Sequence, residues 1–455
     1  MKADLRPDPA EQPVEHAAGL LERAARGVVL KRLERLERGG LALVDSQGRT
    51  QLGHGGDLHA TIRVRRGRLY RRALAGGNLG VAASYLDGDW DCDDLTNLFR
   101  LFLRNADQNT GLDGLLAWAT RFGAWWRHCW RRNTPEGSRT NIRRHYDLGN
   151  DFFRLWLDDT WSYSSAVFPT QQATLAEASR EKLDRVCRKL DLGPQDHLLE
   201  IGTGWGGLAL HAAAHYGCRV TTATISREQH DLARQRVADA GLERRVTVLL
   251  RDYRDLTGQY DKLVSIEMIE AVGHEFLNGY FKKCGELLKP EGTFLLQSIV
   301  MPERGYRDYL RRADFIQRYI FPGGCLPSVS KLVESAGQAG RLRLVHAEDL
   351  APHYAETLRR WRSNFHEQRA AIRRLGYPAR FLRLWHYYLC YCEAAFEERH
   401  TGVVQMQFDG PLCRRDPVQI TTSAALTRSR DSNTDGDSSR GLALLQPGYP
   451  AEMQR

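Results

Sequence analysis

From about residue 180 the apolar positions of this chain gather into short runs: HLLEIG, RVTTATI, VTVLLRD, DKLVSIE, GTFLLQSIV and LRLVHAEDL. Most of the gaps between them carry an amphipathic, helical period. Short apolar runs are strands covered on both faces, and strands alternating with helices predict a doubly wound α/β sheet. ETLRRWRSNFHEQRAAIRRLG and FLRLWHYYLCYCEAAFEERH follow as long helical patterns. From about Cys413 the chain turns rich in Ser, Asp, Arg and Gly, a composition that predicts a disordered tail over 413–455.

The pattern upstream predicts a smaller α+β domain over 19–110, after a loose, Pro- and charge-rich start at 1–18. A helix is expected from about Gly19 to Leu36, then short strands around glycine turns, a helix, and a second helix opened by Asp93 or Asp94 as N-cap. Over 111–140, Trp118, Trp125, Trp126 and Trp130 alternate with Arg121, Arg127, Arg131 and Arg132. That composition suits a helix lying at a membrane surface, where indoles sit at headgroup level and guanidinium groups meet lipid phosphates. Periodicity equally allows an amphipathic helix that packs its indoles on a neighbouring domain. The α/β domain is expected over 141–412.

Bulk properties narrow the class. A chain of 455 residues exceeds one ordinary core, which agrees with two domains. The net charge of +9 and pI of about 9.1 suit an anionic partner, a membrane surface or nucleic acid, and suit solvated Arg faces equally well. Nine cysteines without paired CxxC spacing, and a start without an apolar leader, disfavour disulfides, structural zinc and secretion. No stretch approaches the roughly 20 apolar residues of a membrane span. The expectation is a reduced, cytoplasmic protein that meets the inner face of a membrane peripherally, with no metal.

Candidate chemistry begins at LLEIGTGWGGLAL, where Leu198, Glu200 and Ile201 end a strand and Gly202, Thr203, Gly204, Trp205 and Gly206 turn into a helix. Glycines let a backbone turn sharply and approach a ligand closely. The spacing departs from the G-x-G-x-x-G pyrophosphate fingerprint, and an acid precedes the first glycine, where it can meet a cationic amino acid end. Both details favour S-adenosylmethionine (SAM) over NAD. After the second strand, Thr224, Ile225, Ser226 and Gln229 can face a ribose; after the third, Asp252 and Tyr253 stand near an adenine. In register on one scaffold these pieces read as a class I SAM-dependent methyltransferase, a Rossmann-like doubly wound sheet.

The stretches RRHYDLGNDFFRLWLDDTWSYSSAVF, LLEIGTGWGG, DKLVSIEMIEAVGHEFLNGYF, LLKPEGTFLLQSI, FIQRYIFPGGCLPS and YYLCYCEAAF, in this order, closely resemble the cyclopropane-fatty-acyl-phospholipid synthases and their mycolic acid relatives. LAGGNLGVAASYLDGDW resembles that family's smaller N-terminal domain. The resemblance implies that Tyr163 and Ser164 close over SAM and that Tyr253 and Arg254 lie near the adenine. It implies methyl transfer to a cis double bond of a lipid acyl chain, then loss of a proton to close a three-membered ring. The carbocation formed on the way calls for a dry pocket and aromatic faces such as Tyr319 and Tyr354. The resemblance further implies a bound bicarbonate as base, held by Ser165, Glu270, Gln297, the Ile299 backbone N–H and Tyr354. Cys392 matches a cysteine described as active-site in the family; a buried core thiol on an apolar helix accounts for it without catalysis.

Two positions depart from the usual pattern: Ser165 stands where most relatives have cysteine, and Gln297 where they have histidine. Glutamine donates and accepts but does not titrate. The changes either preserve an anion site of different geometry or alter how the cation is resolved, toward a methyl-branched or methylene product. The expected partners are an unsaturated phospholipid and an anionic membrane surface, with a homodimer compatible with work on a bilayer. Nucleic acid is disfavoured, since no catalytic N-P-P-Y or RNA-binding module is present.

Overall fold

The computed structural model describes residues 19–105, 149–311 and 314–415. The expectations for 1–18, for the Trp/Arg-rich stretch and for the tail beyond residue 415 lie outside the described residues.

The helix Leu20–Leu33 leads into β1 (Gly39–Asp45), β2 (Gly48–Gly55) and β3 (His59–Val64). The helix Arg68–Leu86, β4 (Trp90–Cys92) and the helix Leu95–Arg104 follow. The four strands form one sheet in the order β2-β1-β3-β4. Asp94 caps the last helix, accepting from the Asn97 N–H at 2.8 Å, because its short carboxylate reaches a first-turn donor that has no helical partner.

The six strands expected from the apolar runs all form: β5 (His197–Ile201), β6 (Arg219–Thr224), β7 (Val246–Leu250), β8 (Tyr260–Ile266), β9 (Leu288–Val300) and β10 (Arg343–Asp349). A seventh, β11 (Gly402–Asp409), was not legible in the pattern. It inserts antiparallel between β9 and β10, giving the order β10-β11-β9-β8-β5-β6-β7 with β9 through β7 parallel. Its run GVVQMQFD buries two glutamines, which disguises it as a polar segment. Both are bonded: Gln405 donates to Gln297 Oε1 at 2.9 Å and Gln407 donates to the Lys189 carbonyl at 2.6 Å. A buried amide is tolerated where it is hydrogen-bonded, and both side chains donate, although Gln407 Oε1 has no partner among the described residues.

Each face of the sheet is covered. Phe294 and Leu296 of β9 pack with Phe281, Leu332 and Phe408, whereas Leu295 joins Leu183, Val186 and Ala209 on the other side. The long helices Ala351–Glu367 and Ala379–Glu397 close a third cluster that is continuous with the small domain. There Arg383 donates to the carbonyls of Tyr85 and Trp90 and to Asp91, with its guanidinium 4.0 Å over the Tyr85 ring. Strand order reverses between β5 and β8, and the crevice beyond the carboxyl ends of these strands is where open α/β sheets take ligands.

Candidate active site

A cavity of about 650 Å³ occupies that crevice. At one end the turn after β5 runs through Gly202, Gly204 and Gly206 with φ of +103°, +52° and +83°, a left-handed sequence that glycine alone adopts freely. A Cβ on Gly206 would stand 3.2 Å from that of Ala233, so helix packing requires its absence. A Cβ on Gly204 would meet nothing within 4 Å, and Gly204 lines the cavity: the backbone is bare where a ligand must come close.

Glu200 is buried and its Oε2 accepts from the Thr222 hydroxyl at 2.6 Å; burial pushes its carboxyl up to about 8. Lys182, buried on the helix Leu175–Lys189, donates to Ser164 Oγ at 3.0 Å and is lowered by the same desolvation. Thr224 donates to Gln229 Oε1 at 2.9 Å, and Ser226 caps the next helix. Asp252, buried, takes a two-pronged ion pair from Arg254, whose guanidinium lies 5.4 Å from the Tyr253 ring. Tyr163 shares a hydroxyl–hydroxyl bond of 3.0 Å with Tyr388.

The other end of the cavity carries two carboxylates. Glu267, directly after β8, is held at φ +46°. Its Oε1 accepts from the Ser165 N–H at 2.8 Å and from Gln297 Nε2 at 2.7 Å; its Oε2 accepts from the Tyr354 hydroxyl at 2.7 Å. Three residues on, Glu270 Oε1 accepts from the Ile299 N–H at 2.6 Å and the Ser298 hydroxyl at 3.1 Å, while its Oε2 is buried with no partner among the described residues. Burial, and then the charge of Glu267, push Glu270 up to about 8. Burial also raises Glu267, against the three donors that favour its ionised form. Tyr354, Tyr388, Tyr391 and Phe396 line the compartment beside this pair.

Of the residues expected from the sequence, Tyr163, Ser164, Glu200, Ile201, Gly202, Thr203, Gly204, Trp205, Thr224, Ile225, Gln229, Asp252, Tyr253, Arg254, Glu270, Ile299, Tyr354 and Cys392 line the cavity. Leu198, Gly206 and Ser226 stand behind that wall, and Ser165 and Gln297 stand behind Glu267. Tyr319 packs on Phe315 and does not reach the cavity. Burial pushes the Cys392 thiol up, away from a nucleophilic thiolate. The Ser165 hydroxyl turns to the Ala166 carbonyl at 3.1 Å, so this residue meets the carboxylate through its backbone. Sequence reasoning missed Glu267 and Lys182. Glu267 had a signal, an acid at the carboxyl end of a parallel strand; Lys182 had none, since a lysine on an amphipathic helix reads as solvated.

A sheet of this order, a bare glycine turn at its switch point and polar side chains at the ends of β6 and β7 make a class I SAM-dependent methyltransferase. The open face of Gly204 and the buried acid at Glu200 would suit a cofactor's cationic amino acid end, and Gln229 and Asp252 line the same cavity. The family model described as mycolic acid cyclopropane synthetase matches residues 133–406, and the chain belongs to that family. It is 41% identical over 344 residues to tuberculostearic acid methyltransferase UfaA1 of Mycobacterium tuberculosis, covering 74% of this chain and 80% of that protein. To the cyclopropane-fatty-acyl-phospholipid synthase of Escherichia coli K12 it is 38% identical over 357 residues, covering 78% and 88%. The solved mycolic acid cyclopropane synthase CmaA1, complexed with SAH and CTAB, superposes with a TM-score of 0.56 at 33% identity, covering 60% of this chain and 98% of that one.

Proposed function

We propose that this enzyme transfers the methyl carbon of SAM to the cis double bond of an unsaturated phospholipid acyl chain and closes a cyclopropane ring on loss of a proton. The observation that carries the reading is the joining, in one cavity, of a glycine turn built for SAM with an aromatic compartment that ends on two carboxylates. Bound SAM supplies an electrophilic methyl on a sulfonium. The chain's part is to orient and to exclude water: an alkene is a weak nucleophile, and holding it in line supplies much of the acceleration. Aromatic faces at Tyr354 and Tyr388 support the carbocation left after attack, and a carboxylate takes the proton. The relatives named as cyclopropane synthases support the lipid acceptor.

A second reading, methylation without ring closure, draws on the relative named tuberculostearic acid methyltransferase and on Gln297 and Ser165. No helix among the described residues is long and apolar enough to cross a membrane. The proposed work on phospholipid has the protein docking peripherally on an anionic bilayer, a surface that a net charge of +9 suits. Incubation with SAM and monounsaturated phospholipid vesicles, read by lipid mass spectrometry and NMR, tests both readings. A gain of one CH2 with loss of olefinic protons is expected. The same gain with olefinic protons retained supports the second reading, and no gain overturns both.

A further inference from the structure

The donors that the resemblance assigns to a bicarbonate are already engaged by the chain itself. The Ser165 N–H, the Gln297 amide and the Tyr354 hydroxyl converge on the carboxylate of Glu267, and the Ile299 N–H serves Glu270. A bicarbonate here would compete for every donor and would bring an anion into a compartment where burial already pushes both acids toward their neutral forms. Desolvation would act on that ion as it does on the two acids, and the ionised form of Glu267 that its three donors favour would repel it. The residues present therefore do not fit that ion.

We propose that Glu267 is the general base of this enzyme, a carboxylate built into the chain where an external anion would otherwise have to bind, so that turnover is independent of bicarbonate. The inference rests on the alkene reading above. The alkene π pair forms a bond to the methyl carbon as the carbon–sulfur bond breaks, its electrons going to sulfur. Glu267 then takes a proton from the transferred carbon, and the freed C–H pair bonds to the cationic carbon to close the ring. The backbone supports the assignment. A non-glycine residue at φ +46° costs about 1–2 kcal/mol, and such strain collects where a side chain must be aimed. Gln297 is aimed in turn, since its Oε1 accepts from Gln405, whose own Oε1 accepts from Lys189 at 2.6 Å. That chain fixes which end of the Gln297 amide faces the carboxylate.

Two measurements on the full chain test this. In the first, lipid turnover is followed in buffer stripped of carbon dioxide and again with bicarbonate added. Wild type is expected to be unchanged within about 2-fold, and Glu267→Gln to lose about 100-fold or more with SAM affinity within about 3-fold. In the second, 13C-labelled bicarbonate is titrated into wild type and Glu267→Gly, a variant whose φ glycine adopts without strain. Wild type is expected not to bind; Glu267→Gly is expected to bind, and to recover turnover only when bicarbonate is present. Wild-type binding of bicarbonate, wild-type turnover that needs it, or full activity in Glu267→Gln overturns the proposal. If wild type methylates no unsaturated lipid, the alkene reading falls and the base role with it, while the titration still decides whether Glu267 fills the anion site.

Discussion

At the glycine-turn end of the cavity, Glu200 to Gly206 are consecutive residues that run from β5 into one turn; at the opposite end, Ser165, Glu267, Gln297 and Tyr354 arrive from four separate segments. The first end is shaped by local φ and by the absence of side chains, the second by donors that each satisfy the same carboxylate. A turn fails at single positions, and its failure is read in binding. A shared network fails in coupled steps, and its failure is read in turnover.

The largest effect is expected at Gly204. An alanine there meets open space but carries about 1–2 kcal/mol of strain at φ +52°, and its Cβ enters the space where the glycine turn is expected to meet the cofactor. Gly204→Ala is expected to weaken SAM binding about 30-fold, equivalent to about 2 kcal/mol, with a fall in Tm of a few degrees from the strained backbone. Calorimetric titration beside a melting curve checks it, and unchanged affinity would show that the turn does not meet the cofactor. At the other end, Tyr354→Phe removes the one donor to Glu267 Oε2 among the described residues, a loss of about 1–3 kcal/mol. Lipid turnover is expected to fall about 10-fold with SAM affinity unchanged, and combination with Gln297→Leu to cost less than the two losses added.

Glu200 sharpens the difference through pH. Between its ordinary 4.5 and about 8 the folded protein keeps a proton that the unfolded chain has released, so the group destabilises the fold increasingly as pH rises through that window. Lys182 and Thr222, the groups that face it, pull the other way without cancelling the burial. Glu200→Gln is expected to raise Tm more at pH 8 than at pH 5, by a few degrees for about 1–2 kcal/mol, while weakening SAM binding. In wild type, SAM binding at pH 7 should release protons, measurable as a dependence of the binding heat on the buffer. The smallest effect is expected from Ser165→Ala, within about 2-fold in turnover, because only the backbone of that residue reaches Glu267 and its hydroxyl serves a neighbouring carbonyl.

Much of the fold was legible as periodicity: six strands of the sheet, the Asp94 cap and the two long helices follow from apolar spacing and capping residues. β11 was not, since its buried Gln405 and Gln407 depend on Lys189 and Gln297, residues more than a hundred positions away. The same distance hid the site's second carboxylate. In DKLVSIEMIEAVG both acids are visible, yet only Glu270 drew attention, because nothing in the string shows which donors each will meet.

By itself, then, the order of residues determined a doubly wound sheet with a SAM-type glycine turn and the family to which it belongs, because periodicity and turn geometry are written in neighbouring positions. Which groups Gln297 and Ser165 serve was decided only in three dimensions. Those bonds exist because β8, β9, the helix Ala351–Glu367 and the segment before the sheet end at one point, and the point of meeting is a property of packing.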